Sequence, residues 1–197
     1  PPGTDWCTFD DFTLDASNGR VLKIWNDSYK LLANLNVMVR DVPGLTFTEK
    51  EPVLREARGL RAYVYLQLVT YFGDVPVADG ISVEETQQRN HRSQVYDFIT
   101  AELEAIVNDL PAEPSENNDE LTADAARILL AKVALLTNDY PTVDALTTEV
   151  IESMRYQLML TSDEVFTDAS NTEIIWDFSS ALSGEFFEYF YGRPFSP

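Results

Sequence analysis

The residues able to begin a reaction or hold a metal are few: one histidine, His91, one cysteine, Cys7, and 33 carboxylates. His91 stands in a polar context beside Arg92. No Gly-x-Ser-x-Gly elbow or Ser/His/Asp ordering accompanies it to activate a hydroxyl, so it reads as a solvated or helix-capping residue. Among 33 acidic residues chance carboxylate pairs are certain. Nothing in the sequence isolates two of them in an apolar pocket, as acid–base cleavage of a glycosidic bond would require. A single thiol excludes an internal disulfide framework and any multi-cysteine metal site, and it is compatible with reducing or oxidising surroundings. Asp15-Ala-Ser-Asn-Gly19 and Asn117-Asn-Asp-Glu120 offer oxygen ligands, but neither follows the calcium-loop pattern; turn chemistry accounts for both. No glycine-rich loop suited to a phosphate is present. The reading is a protein without catalytic residues, metal or cofactor.

Aromatic side chains are the more productive set. A Trp or Tyr ring can lie against the apolar C–H face of a sugar while nearby polar groups fix the hydroxyls. Trp25 falls on the apolar stripe of a helix and Trp176 ends an Ile-Ile run, so both read as core. Trp6 sits in a polar loop between Asp5 and Cys7, where no periodicity dictates burial. Residues 186–195 hold six aromatics in ten positions, too apolar for a free tail. In that run Tyr189, Tyr191 and Arg193 offer a second contact surface, against a competing role in packing.

With 14 basic and 33 acidic residues the chain carries a net charge of −19, spread along its length. Such a surface repels a phosphate backbone and anionic lipid headgroups, which need clustered Lys and Arg; nucleic acid is excluded as a partner. No apolar run approaches the roughly 20 residues needed to span a bilayer, and no secretory signal is seen. The Gly-Thr-Asp-Trp before Cys7 lacks the small apolar residues of a lipoprotein cleavage site. The Pro-Pro-Gly start looks like a cut or trimmed one.

Helical periodicity dominates residues 20–154. A first helix is expected over 20–39, with Leu22, Trp25, Tyr29, Leu32 and Asn36 near one face and Pro43-Gly44 as its break. A second follows over 54–72, where Leu54, Ala57, Leu60, Val64, Leu68 and Phe72 repeat at steps of three and four. Thr48 with Glu51 reads as its capping box; Gly73 and Pro76 read as its stop. Ser93 is expected to cap a third helix bearing Val95, Phe98, Ile99, Leu103, Ile106 and Leu110, ended by Pro111. Residues 111–121 read as a solvated linker. Thr122 opens a helix, and a Thr-Asn-Asp-Tyr-Pro turn leads to its partner over 141–154. That pair approaches the tetratricopeptide period of roughly 34 residues. A lone unit cannot bury both faces, so the helices at 54–72 and 94–110 are expected to form the neighbouring pair. Residues 156–160 and 173–178 are short and rich in branched and aromatic side chains, which predicts small strands or extended pieces.

The stretch from Leu54 to Val77, with its Phe-Gly-Asp-Val-Pro exit, resembles the signature helix of the SusD/RagB family of nutrient-binding outer-membrane proteins. Four further segments resemble that family in order and spacing. They are the Trp25–Tyr29–Ala33–Asn34 helix, Val-Tyr-Asp-Phe-Ile at 95–99, Ala-Ala-Arg-Ile-Leu-Leu-Ala-Lys-Val at 125–133 and Asn-Thr-Glu-Ile-Ile-Trp at 171–176. The resemblance implies an all-α fold of tetratricopeptide-like hairpins with long irregular loops and minor short strands. It implies one SusD-like domain over 1–197, with a helical scaffold at 20–154 and a loop and aromatic segment at 155–197. The family's lipoprotein signal and opening helix are missing, and its members run on past this chain, so the sequence looks like part of such a protein or a short relative. The resemblance further implies a non-enzymatic protein of polysaccharide utilisation in Bacteroidetes-type bacteria. Such a protein is lipid-anchored at the outer-membrane surface, captures oligosaccharides (peptides in some branches) and passes them to a TonB-dependent SusC-like transporter. The family's glycan site uses the segment before the Trp25-type helix, which favours Trp6 and its neighbour Asp5 as ligand contacts, with Tyr189, Tyr191 and Arg193 as a second set. A tetratricopeptide adaptor for peptide tails is the alternative; it needs a basic, Asn-lined groove, and these helices supply few such residues.

Overall fold

A computed structural model describes residues 17–78, 88–115, 118–161 and 171–177, together with Thr13, Asp15 and Val165. The chain divides into two compact units, Pro1–Phe98 and Ile99–Pro197.

In the first unit α1 (Gly19–Asp41) and α2 (Lys50–Phe72) form a hairpin joined through a short 3-10 turn, Val42–Gly44. Trp25 meets Phe72 and Asn36 meets Arg61. Numbers rise along one helix as they fall along the other, so the pair is antiparallel. α1 starts where its cap dictates: the Asn18 side chain accepts from Arg20 N at 2.9 Å and Val21 N at 3.3 Å. Leu32, Leu35, Ala57, Ala62, Tyr65 and Leu68 fill the seam.

The expected capping box of α2 does not form. Thr48 and Glu51 are exposed, the N-cap position is Glu49, and its side chain makes no capping bond. Pro52 is the reason. Starting the helix at Thr48 would put Pro52 where an N–H must reach back to the Thr48 carbonyl. Starting it at Lys50 leaves Pro52 in the first turn, whose N–H groups have no intrahelical partner anyway. The first such bond follows at once, Val53 N to Glu49 O at 3.1 Å. The stop is as the sequence predicts: Gly73 takes φ +72° and its N–H bonds Val69 O at 3.0 Å.

α3 (Arg92–Glu104) also begins earlier than expected, because His91 rather than Ser93 stands at its cap. Gln94 reaches back to His91 N at 3.0 Å, the return arm of a capping box. His91 Nδ1 accepts from Ser93 N at 3.3 Å. His91 is therefore the exposed capping residue that the sequence suggested. α3 ends at Glu104 and the chain continues through a 3-10 turn, Val107–Asp109, so the single helix expected to reach Leu110 is broken. The signature helix pairs with α1 rather than with the 94–110 segment expected beside it, and it meets the 92–98 turns through Phe98, which lies edge-on to Tyr65 with centroids 5.1 Å apart and under the Arg61 guanidinium at 5.3 Å.

In the second unit α4 (Ala123–Leu136) and α5 (Tyr140–Glu152) form the expected hairpin. Thr122 Oγ1 caps α4 by accepting from Ala125 N at 3.1 Å. Asn138 makes the turn at φ 62°, and Asp139 caps α5 by accepting from Thr142 N at 3.3 Å. Arg127 on α4 pairs with Glu149 on α5 at 2.7 Å, an antiparallel register about Asn138. The segment read as a solvated linker is not wholly so. Leu121 is 1% exposed and packs with Ile106 and Ala125, flanked by Leu110, Ile175 and Trp176. Among the described residues no strand forms, and one isolated bridge joins Val75 to Asn90. The two extended pieces expected near 157 and 173 do lie side by side, with Gln157 N bonded to Thr172 O at 3.1 Å.

A chain of charges ties this unit together. The Asp124 side chain is 2% exposed and lies between Arg127 at 3.1 Å and Arg155 at 2.8 Å. The arginines extend outward to Glu149 and to Glu113, the latter 3.1 Å from Arg155. Removing the central carboxylate leaves each guanidinium with its outer partner alone, so Asp124→Ala should lower stability by about 1–3 kcal/mol, whereas the outer Glu113→Gln should cost under about 1 kcal/mol. Leu68 and Leu129 are 1% and 6% exposed. Leu68→Asp or Leu129→Asp, each placing a charge in a helix seam, should cost more than roughly 3 kcal/mol. Urea unfolding followed by circular dichroism checks all four, and an unchanged midpoint for either leucine variant contradicts its burial.

Candidate functional site

Asp5, Trp6, Tyr189, Tyr191 and Arg193, the ligand contacts read from the sequence, lie outside the described residues. The described part of the loop that leads into α1 is held by a compact turn. Asp15 Oδ1 accepts from Ser17 N at 2.7 Å and Ser17 Oγ at 2.6 Å, which holds its carboxyl below the usual range. Asn18 N then bonds Asp15 O at 3.2 Å, and the Asn18 side chain, in a residue 5% exposed, caps the helix. This Asp15–Asn18 chemistry is a turn, as expected. The second acidic segment behaves alike: Asn118 takes φ 54°, and Ser115 Oγ donates to Asp119 at 2.7 Å. Among the described residues no three His, Cys, Asp or Glu side chains gather to hold a metal. The chain leading toward the aromatic segment is fixed too. Asp177 N bonds Asn118 O at 2.7 Å and Trp176 Nε1 donates to Asp119 O at 3.3 Å.

The exit from the signature helix is the most densely bonded part of the first unit. After Gly73 the chain drops into the hairpin, burying Val75, Pro76 and Ala78. Tyr29 Oη donates to Pro76 O at 2.8 Å, and Asn36 Nδ2 donates to Ala78 O at 3.0 Å. Ala78 N donates to Tyr65 Oη at 2.8 Å. Tyr29 and Asn36 stand seven residues apart on one face of α1, and Tyr65 faces them from α2. Burial, aided by neighbouring Tyr65, pushes the Tyr29 phenol well above its ordinary value. The outer edge of the same turn is tied to α3, where Asp74 Oδ1 accepts from Arg92 N at 2.9 Å.

Beside this seam lies an aromatic cluster. Trp25, read from the sequence as core, is half-buried. Its ring meets Tyr29 at 4.8 Å and the edge of Phe72 at 5.1 Å, and the Arg89 guanidinium lies over it at 5.6 Å. Tyr71, in edge contact with Phe72, is 56% exposed. Sequence reasoning passed over Tyr71 and Arg89; the only available signal was that Tyr71 lies off the apolar stripe. Trp176 is also half-buried, against the Ile106 and Leu121 cluster. The cluster shares its end of the hairpin with the point where the loop from Asp15 enters α1.

The geometry defines a protein of antiparallel helical hairpins whose loops start from capped, hydrogen-bonded turns. A family model described as starch-binding associating with outer membrane, SusD-like, matches residues 4–135, more than half of the chain. The chain belongs to the SusD-like family. It is 25% identical over 175 residues to SusD-like protein P25 of Formosa agariphila, covering 83% of this chain and 33% of that protein. A solved SusD-like protein from Bacteroides fragilis superposes with a TM-score of 0.76 at 26% identity, over 88% of this chain and 36% of the other. A laminarin-binding SusD-like protein superposes with a TM-score of 0.77 at 25% identity, over 86% and 40%. The chain thus spans about a third of the length of the curated relatives it matches.

Tyr29→Phe removes the donor to a buried carbonyl, and the fold should lose about 1–3 kcal/mol. Because the folded-state phenol titrates above the unfolded value of 10.0, the stability it contributes is present below that pH and declines as pH rises past it. Denaturant melts of the parent chain and Tyr29→Phe across alkaline pH check both, and the variant should show the shallower alkaline loss.

Proposed function

We propose that this protein is a non-enzymatic binder of nutrient glycans at the outer surface of a bacterial outer membrane. It delivers oligosaccharides to a TonB-dependent SusC-like transporter and is held to the membrane by a lipid anchor. The observation that carries this reading is the family match over 4–135, supported by the fold shared with a laminarin-binding relative. Residues 1–197 contribute to one SusD-like domain in which the hairpins are the rigid scaffold and the loops hold ligand. The 1–19 loop carries the site through Trp6, with Asp5 beside it for sugar hydroxyls; Tyr189, Tyr191 and Arg193 form a second contact surface. A loop aromatic can stack on a sugar without withdrawing a residue from the core.

Incubating the full chain with a glycan panel, and measuring both retention and product, tests the class. Binding without turnover is the expected result; released product would make it a hydrolase, and preference for peptide tails would make it an adaptor. Within a binding glycan, Trp6→Ala should weaken affinity by about 1–3 kcal/mol with helicity unchanged. Calorimetric titration measures it, and an unchanged affinity removes the loop from the site.

A further inference from the structure

The chain sets 33 carboxylates against 14 lysines and arginines, so a surface cation has acidic partners in excess. Arg127 and Arg155 take two, and Arg40 and Arg92 each take one. Arg89 does not. Its side chain is exposed, yet among the described residues no carboxylate lies within ion-pair distance of it. The guanidinium instead lies on the Trp25 ring, 5.6 Å from the centroid, and gives one 3.3 Å bond to the Asp74 carbonyl. The Asp74 carboxylate next to it is engaged elsewhere, by the N–H and guanidinium of Arg92. A guanidinium has five N–H donors in a planar fork, and contact with the indole limits where it can go before any ligand arrives. Most of the fork is unused, on a side chain already held in place.

An apolar shelf stands at the same end of the hairpin. Trp25 faces Phe72 across the antiparallel pair, which brings Leu22, one turn before Trp25, to the level where α2 ends. Leu22 and Tyr71 are each 56% exposed. This end of the hairpin thus carries a cation over an indole, an exposed aromatic ring and an exposed aliphatic side chain, the kinds of group that meet a pyranose bearing a negative charge.

We propose that Arg89, lying over Trp25 at the end of the hairpin that also exposes Tyr71 and Leu22, is a subsite for an anionic sugar unit. The guanidinium takes the ring's carboxylate or sulfate in a charge-assisted fork, and the C–H face of the sugar lies on the exposed apolar side chains. The inference rests on the glycan-binding reading above and adds the charge class of the ligand. A chain at −19 repels polyanions at long range, and the subsite acts against that field through short-range contact alone.

The test titrates the full chain with three oligosaccharides of equal length: an oligogalacturonate, a sulfated galactan and a neutral laminari-oligosaccharide. At physiological salt, which screens the chain's long-range repulsion, one acidic probe should bind about tenfold tighter than the neutral one, and that advantage should vanish in Arg89→Gln. Arg89→Lys, which keeps the charge but not the fork, should recover only part of it. Whichever acidic probe wins identifies carboxylate or sulfate as the group recognised. Helical circular dichroism of each variant should match the parent. Neutral binding that equals acidic binding, or acidic binding indifferent to Arg89→Gln, overturns the subsite while leaving glycan binding in place. No binding to any probe by a folded chain overturns the subsite and counts against the glycan reading itself.

Discussion

The first unit depends on where the chain goes after α2. Residues 75–78 enter the groove of the hairpin as irregular backbone, and buried irregular backbone must find partners outside regular structure. Tyr29, Asn36 and Tyr65 supply them, bonding the Pro76 carbonyl and both polar groups of Ala78. This seam joins α1 to α2 more specifically than apolar packing can, because apolar contact tolerates sliding and hydrogen bonds at 2.8 to 3.0 Å do not. It also explains the Phe-Gly-Asp-Val-Pro exit in physical terms. Phe72 packs on Trp25, Gly73 reverses the chain at positive φ, Asp74 caps α3, and Val75 is wholly buried. Each residue of the motif has a separate task in one turn.

The second unit is organised by a different constraint. Asp124 is buried at the start of α4, where a carboxylate also meets the positive end of the helix, and two arginines from α4 and from the chain after α5 converge on it. The apolar seam between α4 and α5 fixes their distance, and the charge network fixes how the segments before and after the hairpin return to it. Replacing such a network by apolar residues is often neutral in energy; its contribution here is to specify one arrangement.

The chain segments that bear the candidate ligand contacts leave from points that are bonded rather than loose: the Asp15–Asn18 turn on one side and the Asn118–Asp177 contact on the other. A binding loop needs such anchorage, since ordering it at the moment of binding would cost affinity. The aromatic end of the α1–α2 hairpin continues from the first of these points, so the exposed Tyr71 and the stacked Arg89 sit on a rigid platform.

The helices were legible in the residue pattern because apolar spacing of three and four leaves few other ways to bury Leu68, Ile99 or Leu129. The stop at Gly73, the cap at Thr122, the turn at Asn138 and the placing of Pro141 in the first turn of α5 followed from local stereochemistry. The starts were less legible. Thr48 and Ser93 look like caps in isolation, but Pro52 moves one start and the pairing of Gln94 with His91 moves the other. The sequence by itself determined the helices, the α4–α5 hairpin and the turns at the two acidic segments, since each rests on short-range periodicity or turn chemistry, and its motifs carried the resemblance to the family. Tertiary structure alone decided which helices pair, that Leu121 leaves the polar stretch for the core, that Trp25 is only half-buried, and that Arg89 lies on its ring. Those are contacts between residues tens of positions apart, and no local pattern encodes which surfaces meet when several apolar stripes compete for the same partner.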